Sequence, residues 1–400
     1  ANEWCVDAHE GIDLKILLVK TSSMGDLVHA LPAVSDIARA YPNAQIDWLA
    51  ERPFDAIARL HPAVHNVIPV AWRKWRKSLW RTETRHVMND FWHNLRAETY
   101  DVVIDLQGLV KSAAMTRMAR LSGVAPTDCG ALRPQLGYCG YDAASVREPL
   151  AARAYQHRFA VSRQDTSVSR NRQLSAAALG YALEAVVDFG LQGLAVPSDW
   201  SFLTKTGVSN VRPIEPPWVS LIHGASRDEK LWDVSHWVQL MVHLADQGQR
   251  SLLLWGSDAE RVRSEQLYDA AVNAGVATDL LPIVPPFLTI AQVAQCLAVS
   301  RAVVGLDSGF THLAAALARP TVGIYADFDP QLAALMGVNY CVGLGGVGTP
   351  PTADAVIEQL MWAQAFDVEH RHRWQDELPD IGLSPMSSAQ AVLHHMRFEG

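Results

Sequence analysis

The sequence predicts an α/β fold of two doubly wound domains, each built on a parallel sheet with helices on both faces. Its 400 residues, of which 49% are hydrophobic and 19% charged, exceed the roughly 250–300 residues at which a single core stops growing. Apolar runs alternate with helical patterns in both halves of the chain. Strands that are apolar throughout and separated by helices indicate parallel sheets buried on both faces.

Eight apolar runs are predicted as strands, four in each half. They are residues 16–20, 45–50, 67–70 and 102–106, followed by 218–223, 251–255, 302–305 and 321–325. Helices are predicted where apolar residues recur at intervals of three and four, as packing on a sheet requires. These are residues 27–41, 109–121, 169–179, 235–246, 259–274, 290–298 and 311–318.

The predicted domain boundaries follow from composition. Residues 196–217, rich in proline and serine, are interpreted as a linker between an N-terminal domain (1–195) and a C-terminal domain (218–365). Residues 366–400 are predicted as a C-terminal helical segment that can pack back on the N-terminal domain.

Charge and cysteine content disfavour several classes of protein. With 34 basic and 42 acidic residues the net charge is −8, so we expect no nucleic-acid partner, and an anionic substrate requires a local basic patch. Five cysteines without a Cys-x-x-Cys pair argue against a disulfide framework or a structural zinc site. No run approaches the ~18–20 apolar residues that span a bilayer, so we expect a cytoplasmic protein without a transmembrane segment.

The first predicted strand ends in a polar turn, Lys-Thr-Ser-Ser-Met-Gly-Asp, at residues 20–26. Ligands of open parallel sheets bind beyond the carboxyl ends of the strands, so Thr21, Ser22 and Ser23 are candidates for ligand contacts. Asp26 stands at the start of the next predicted helix and has two interpretations. It can cap that helix, or it can be a general base that takes the proton from an attacking sugar hydroxyl.

Two strand ends in the second half carry single charged candidates. Lys230 is either a solvated surface lysine or a group that, together with Ser226, neutralises a pyrophosphate. Glu260 can accept hydrogen bonds from a ribose, or it can be an ordinary glutamate in the first turn of a helix.

A third strand end, Asp307-Ser308-Gly309, is followed by a predicted helix that contains His312. Backbone N–H groups at such a helix start bind phosphate without a basic side chain. Asp307 or Ser308 can equally be the cap of this helix, and His312 can be a core histidine.

The acidic chain contains one local run of basic residues, the basic cluster of Arg73, Lys74, Arg76 and Lys77. As a helix, this run can be a solvated face whose interleaved tryptophans pack inward. The same charges suit an acceptor that carries phosphates and carboxylates, because guanidinium and ammonium groups bind both.

Several segments resemble heptosyltransferase I, a group of glycosyltransferase family 9 that has the GT-B fold. The resemblance rests on KTSSMGDLVHALP (residues 20–32), VIPVAWRKWRKSLW (67–80), YDVVIDLQGLVKSA (100–113), VREPLA (146–151), SRNRQLSAAALGY (169–181), HGASRDEKLW (223–232) and GLDSGFTHLAAALARP (305–320). It extends from about residue 14 to about residue 361. The family often has a Thr-Thr pair where Ala225 and Ser226 stand here, so one hydroxyl contact with the donor can be missing.

The resemblance implies two Rossmann-like domains facing a central cleft, with the acceptor held by the N-terminal domain and ADP-heptose by the C-terminal domain. It implies inverting transfer of L-glycero-D-manno-heptose to a Kdo residue of Kdo-lipid A in the lipopolysaccharide inner core of Gram-negative bacteria. The enzyme is expected to need no metal and no cofactor. It is expected to lie peripherally on the cytoplasmic face of the inner membrane, where the acceptor is.

The resemblance also implies roles for individual residues. Asp26 is implied as the catalytic base and Lys230 as the catalytic contact to the donor phosphate. The implied donor-binding residues are Ser226, Glu260, Asp307, Ser308, Gly309 and His312. The candidate acceptor-binding residues are Thr21, Ser22, Ser23, Arg73, Lys74, Arg76, Lys77, Lys111 and Arg147.

Other functions stay open at this point. A heptosyltransferase II-like enzyme would use the same donor on another acceptor, and is expected to lack the Lys-Thr-Ser-Ser string. A nicotinamide-dependent oxidoreductase needs a glycine-rich turn after a first strand, whereas the Gly-x-Gly-x-x-Gly of residues 343–348 is predicted to have no following strand. A sugar-nucleotide binding module would bind ADP-heptose without turnover.

Asp327 and Asp329 imitate a metal-binding Asp-x-Asp motif but are predicted to lie in a solvated loop.

Overall fold

The computed structural model describes residues 13–78, 80–123, 134–203, 216–225, 227–327 and 335–371. The chain divides into two compact units, residues 1–191 and 192–400. This division falls shortly before the predicted linker, of which residues 204–215 lie outside the described part. The predicted boundary at residue 365 falls inside the last helix, Ala353–Arg371, and the rest of the predicted C-terminal segment, residues 372–400, is also outside the described part.

The first unit contains a six-stranded parallel sheet. Its strands in chain order are β1 (Lys15–Val19), β2 (Gln45–Glu51), β3 (Val64–Val70), β4 (Thr99–Tyr100), β5 (Val102–Asp105), β6 (Arg120–Leu121), β7 (Gly137–Tyr141) and β8 (His157–Phe159). The order in the sheet is β3-β2-β1-β5-β7-β8, while β4 and β6 form a separate parallel pair. This is the order of a doubly wound sheet whose winding reverses between β1 and β5.

The helices of this unit are α1 (Met24–Val28), α2 (Leu31–Ala40), α3 (Asp55–Ala58), α4 (Trp72–Trp75), α5 (Thr82–Leu95), α6 (Val110–Met118) and α7 (Ser167–Leu179). The prediction of one continuous helix over residues 27–41 is therefore wrong. Pro32 has no N–H group to donate, so the hydrogen-bond ladder of α1 cannot continue through it, and a second helix begins at Leu31.

The second unit is also doubly wound. Its strands are β9 (Val219–Ile222), β10 (Ser251–Leu253), β11 (Ala302–Leu306), β12 (Thr321–Tyr325) and β13 (Cys341–Gly345), in the parallel order β10-β9-β11-β12-β13. Its helices are α8 (Val234–Asp246), α9 (Asp258–Asn273), α10 (Ile290–Ala298), α11 (Gly309–Ala316) and α12 (Ala353–Arg371). The winding reverses between β9 and β11.

Each unit has its own hydrophobic core, and all eight predicted strands are confirmed. In the first unit, Leu17 of β1 and Val103 of β5 are fully buried in a cluster that includes Phe91 of α5. In the second unit, Val304 of β11 is fully buried with Trp237 of α8. Side chains buried on both faces of the strands explain why the apolar runs carried no polar alternation.

Three strands of the two sheets were not predicted, namely β7, β8 and β13. Two of them are rich in glycine: Gly137 and Gly140 lie in β7, and Gly343 and Gly345 in β13. Glycine is depleted in strands because it has no side chain to pack, so these segments lacked the sequence signal of a strand. The Gly-x-Gly-x-x-Gly motif at residues 343–348 thus begins inside the fifth strand of a sheet.

Candidate active site

The first candidate site lies at the carboxyl ends of β1 and β5, the strands between which the winding of the first sheet reverses. Open α/β sheets bind ligands at such a switch point. The turn that follows β1 is held by Gln107, whose Oε1 accepts hydrogen bonds from the backbone N–H groups of Thr21 and Ser22, both at 3.0 Å. The polar turn predicted from the sequence is therefore attached to the end of the neighbouring strand.

Asp105, the last residue of β5, fixes Gln107 in turn. Its buried carboxylate accepts hydrogen bonds from four groups, all at 2.8–3.0 Å: the backbone N–H groups of Gln107 and Gly108, and the hydroxyls of Ser112 and Tyr155. Gly108 has a φ of +67°, and a Cβ there would lie 2.9 Å from a methyl group of Val146. Only glycine meets both conditions without strain, so this turn requires glycine at position 108.

Asp26 is half-buried and is the third residue of α1. Its Oδ2 accepts hydrogen bonds from the backbone N–H of Ser23 at 2.6 Å and from the Ser23 hydroxyl at 3.0 Å. Ser23 rather than Asp26 is therefore the N-cap residue, and Asp26 completes a capping box. Burial alone would raise the pKa of Asp26, but the charge of Lys20 and the hydrogen bonds from Ser23 outweigh burial and lower it. Asp26 is thus ionised at neutral pH, as a base must be.

Of the three polar residues before Asp26, only Ser23 is exposed. Thr21 and Ser22 are 1% and 7% exposed, and the Thr21 hydroxyl has no hydrogen-bond partner among the described residues. Their backbone groups position the turn, and their predicted contact with an acceptor stays a prediction.

Glu51, at the end of β2, brings two of the predicted basic residues together. Its fully buried carboxylate accepts a hydrogen bond from the backbone N–H of Arg73 at 2.6 Å. Its Oε2 lies 3.7 Å from the Arg73 Nε and 3.9 Å from the Lys111 Nζ. The Lys111 ammonium also donates to the Ser22 hydroxyl at 3.3 Å, so Lys111 links the polar turn with the basic cluster. Sequence reasoning missed Glu51, although a carboxylate at the end of a strand is a signal that could have found it.

The other members of the basic cluster, Lys74, Arg76 and Lys77, are exposed and form no ion pair with any described residue. Beside the cluster is a pocket of about 670 Å³, lined by charged and apolar side chains that include Arg73, Lys74, Trp75 and Phe91.

The expectation that the tryptophans of this run pack inward holds only in part. Trp75 is buried against Phe91, with ring centroids 5.2 Å apart, whereas Trp80 is 95% exposed. The helix α4 ends at Trp75, so Trp80 does not share a helix face with it. Arg147 lies further along the chain after β7 and is exposed.

The second candidate site lies at the carboxyl ends of β9 and β11, the switch point of the second sheet. The ammonium of Lys230 lies 2.5 Å from Asp307 Oδ2. On the other side of this carboxylate, His312 Nε2 lies 3.7 Å from Oδ1. Burial would raise the pKa of Asp307, but the neighbouring His312 and Lys230 side chains outweigh burial and lower the pKa to about 2. Lys230 is only 13% exposed, so the interpretation of a solvated surface lysine is wrong.

Asp327, after β12, belongs to the same group, which the sequence did not predict. Its side chain is 15% exposed, forms an ion pair with Arg227, and lies 3.9 Å from the Lys230 ammonium. The expectation of a solvated loop is therefore wrong for Asp327. Ser226 and Asp329 lie outside the described residues. Within the described residues, no three histidine, cysteine, aspartate or glutamate side chains are grouped so that they could hold a metal ion.

The start of α11 places three further candidates beside Asp307. Ser308 is the N-cap residue, and its hydroxyl accepts a hydrogen bond from the backbone N–H of Thr311 at 3.5 Å. Gly309 is the first residue of the helix, so its N–H belongs to the positive end of the helix dipole. Asp307 is therefore not the cap, and its carboxylate is available to Lys230 and His312.

Glu260 is the third residue of α9 and also completes a capping box, since its Oε2 accepts from the backbone N–H groups of Gly256 at 2.7 Å and Ser257 at 3.1 Å. Its carboxyl group lies over Gly224, which follows β9: a Cβ on Gly224 would be 2.5 Å from the Glu260 carboxyl carbon. The capping role explains this geometry, and contact with a ribose stays a prediction.

Comparison with known proteins identifies the family of this chain. The family model of glycosyltransferase family 9 (heptosyltransferase) matches residues 88–356, which is more than half of the chain. The chain belongs to glycosyltransferase family 9. The resemblance predicted from the sequence motifs is thereby confirmed.

Within family 9, four relatives named lipopolysaccharide heptosyltransferase 1 are 34–38% identical to this chain. It is 38% identical to lipopolysaccharide heptosyltransferase 1 of Pseudomonas aeruginosa over 325 residues, which cover 81% of this chain and 82% of the relative. Its identity to lipopolysaccharide heptosyltransferase 2 of Salmonella typhimurium is 26%, covering 80% and 86% of the two chains.

Solved structures of family-9 enzymes have the same fold. Escherichia coli heptosyltransferase WaaC with ADP matches with a TM-score of 0.74 and 33% identity, covering 88% of this chain and 100% of WaaC. WaaC with ADP-2-deoxy-2-fluoro heptose matches with a TM-score of 0.73, again at 33% identity, covering 87% and 99%. The predicted fold class, two Rossmann-like α/β domains of the GT-B type, is confirmed.

Proposed function

We propose that this family-9 glycosyltransferase transfers L-glycero-D-manno-heptose from ADP-heptose to a Kdo residue of Kdo-lipid A, with inversion at the anomeric carbon, in lipopolysaccharide inner-core synthesis. The observation that carries the proposal is Asp26, an ionised carboxylate held at a sheet switch point with Oδ1 accepting no hydrogen bond from the described residues. The similarity to heptosyltransferase 1 enzymes, and to WaaC with ADP and an ADP-heptose analogue, supports the choice of substrates.

The reaction needs one base and no covalent intermediate. Asp26 takes the proton of the attacking Kdo hydroxyl, and the hydroxyl oxygen forms a bond to the anomeric carbon of the heptose from the face opposite the ADP. The bond between the anomeric carbon and the diphosphate oxygen breaks, and its electron pair leaves with ADP. A single displacement of this kind inverts the anomeric configuration.

The second switch point carries the groups that stabilise the departing ADP. The Lys230 ammonium and the N–H groups at the start of α11 place positive charge where the diphosphate gains negative charge. These groups can supply the electrostatic stabilisation that a metal ion supplies in other transferases, so we propose a metal-independent reaction without a cofactor. In the same assignment Asp307 contacts the sugar of the donor, while Ser308, Gly309 and His312 line the diphosphate and Glu260 holds the ribose. Ser226 keeps its predicted donor contact, although it lies outside the described residues.

Product analysis with ADP-heptose and Kdo-lipid A tests this function. We expect a heptosylated product with inverted anomeric configuration, formed at the same rate with excess EDTA and with added Mg²⁺. Loss of activity in EDTA that is restored by metal would contradict the metal-independent mechanism and would implicate Asp327 and Asp329. Transfer only to an acceptor that already carries a heptose would support a heptosyltransferase II-like function instead. Binding of ADP-heptose without formation of any product would indicate a sugar-nucleotide binding module instead of an enzyme.

The basic cluster is proposed to capture the anionic acceptor, together with Lys111, Arg147 and the polar turn at residues 21–23. The chain has a net charge of −8 and repels an anionic acceptor at long range. Binding therefore needs a compact positive region that acts within a Debye length of about 8–10 Å. Arg73 and Arg76 supply part of that region. Among the described helices, none is both long enough and apolar enough to span a bilayer. We propose peripheral association with the cytoplasmic face of the inner membrane, where the glycolipid is.

The double variant Arg73→Ala/Arg76→Ala is expected to raise the KM for the acceptor several-fold and to leave the KM for ADP-heptose unchanged. Charge pairing that is equally strong before and at the transition state affects capture more than turnover, so kcat should change little. The activity should also become less sensitive to salt. Steady-state kinetics at two salt concentrations, with each substrate varied in turn, measure both effects.

Arg85→Ala/Arg96→Ala is the matched control, because it removes the same charge from two exposed arginines outside the cluster, one on α5 and one at its end. An unchanged acceptor KM in a folded Arg73→Ala/Arg76→Ala variant would mean that these residues are a solvated surface. The acceptor's phosphates would then be bound elsewhere, with Lys111 and Arg147 as the next candidates.

A further inference from the structure

Lys20 is a buried lysine to which the proposed reaction gives no role. It follows β1 directly and is 6% exposed. Its ammonium donates to the carbonyl oxygen of Leu106 at 2.8 Å and to Oδ1 of Asn171 at 3.4 Å. Among the described residues, no carboxylate oxygen is close enough to form an ion pair with it. A buried charge without an ion pair is costly, and Lys20 opens the turn that leads from β1 into α1 and Asp26, so we looked for a role there.

Asn171 connects Lys20 with the helix that carries Asp26. It lies on α7 and is 1% exposed, and its Nδ2 donates to the carbonyl oxygen of His29 at 3.0 Å. His29 is the C-cap residue of α1. Asn171 therefore holds the Lys20 ammonium with its amide oxygen and the end of α1 with its amide nitrogen.

We propose that Lys20 and Asn171 are positioning residues for Asp26: Asn171 fixes α1 and the ammonium relative to each other, and the ammonium holds the carboxylate in its ionised form. This inference rests on the proposed role of Asp26 as the base. The electrostatics of the pair agree with it. Burial lowers the pKa of Lys20, and the charges of Asp26 and Asp105 oppose that effect. In the reverse direction, burial raises the pKa of Asp26, and the Lys20 charge is the largest contribution that lowers it.

Other charged or titratable groups face this pair from the surrounding elements. They are His29 after α1, Asp105 at the end of β5, Tyr141 on β7, Arg147 after β7, and Arg170 on α7. The two arginines repel the Lys20 charge, and the His29 charge acts on Asp26 in the same direction as Lys20. All five groups remain in a Lys20 variant. Such a variant therefore measures the effect of one ammonium group on Asp26.

The test is the pH dependence of kcat/KM in Lys20→Met. Without the ammonium the pKa of Asp26 rises, so the acidic limb of the profile should move upward by about one pH unit. At pH values below the limb, kcat/KM should be roughly tenfold lower than in the native protein. This loss should be recovered as the pH increases. A merely structural role would lower the rate at every pH and leave the limb in place. Lys15→Met is the matched control, because Lys15 begins the same strand but pairs with Glu98 at the surface. Its acidic limb should not move.

Asp26→Asn, measured first, separates the base role of Asp26 from the positioning role of Lys20. Normal turnover in Asp26→Asn overturns the base role and the inference that rests on it. If Asp26→Asn removes the activity but Lys20→Met leaves the limb in place, the base role stands and the positioning role is overturned. If thermal unfolding shows that Lys20→Met does not fold, Asn171→Asp replaces it, because a carboxylate against the ammonium cancels its charge. An upward shift of the limb in Asn171→Asp supports the proposal, and an unmoved limb overturns it.

Discussion

Asp26→Asn is expected to lower kcat by about 10²–10⁴-fold, the range for loss of a general base, while the KM for ADP-heptose changes little. The asparagine oxygen can still accept the hydrogen bond from the Ser23 N–H, which is 2.6 Å long in the native protein. The capping box therefore survives, whereas an amide has no useful basicity. The substitution thus separates the two interpretations of Asp26 that the sequence left open.

Asp55→Asn is the matched control for this experiment. Asp55 also stands in the first turn of a short helix, α3, where it forms an ion pair with Arg59 at 3.4 Å. We expect its kcat to stay near that of the native protein, since Asp55 has no part in the proposed site. Steady-state kinetics and thermal unfolding of both variants provide the comparison. Near-normal kcat in Asp26→Asn would return Asp26 to a purely capping role.

The sequence predicted the fold well because most of its strands are buried on both faces. An apolar run such as β11 needs no knowledge of its neighbours to be recognised, since every side chain in it is buried. Segments that depend on tertiary context were missed. β7 is a strand because its backbone pairs with β5 and β8, not because Gly137 and Gly140 favour extended structure.

In the candidate site, too, some residues can be predicted from the sequence and others cannot. Asp307 directly follows β11, Lys230 lies in the segment after β9, and Asp26 lies in the first turn of the helix after β1. The rule for open α/β sheets therefore locates all three from sequence. Glu51 and Asp327 also stand at strand ends, but their roles depend on partners that are distant in the chain. Arg227 and Asp327 are 100 positions apart. No local pattern predicts such a pair, and the sequence favoured a solvated loop at Asp327 instead.

Lys230→Met is expected to lower kcat by about 10²–10³-fold, because the departing ADP would lose the ammonium that neutralises its developing charge. The affinity for ADP, measured by calorimetry, should also fall. Arg261→Met is the matched control: it removes a cation from an ion pair in the same unit, with Glu265 at 2.8 Å, outside the proposed site. We expect its kcat and its affinity for ADP to stay near the native values.

The structure also offers a competing explanation for such a loss. Lys230 lies 2.5 Å from Asp307, so its only function could be to neutralise that carboxylate. The double variant Lys230→Met/Asp307→Asn distinguishes the two explanations, because it removes both charges together. If Lys230 acts on the leaving group, the double variant stays at least as slow as Lys230→Met, since positive charge at the diphosphate is still missing. Recovery of turnover and of ADP affinity in the double variant would instead assign Lys230 to the charge balance of Asp307 alone.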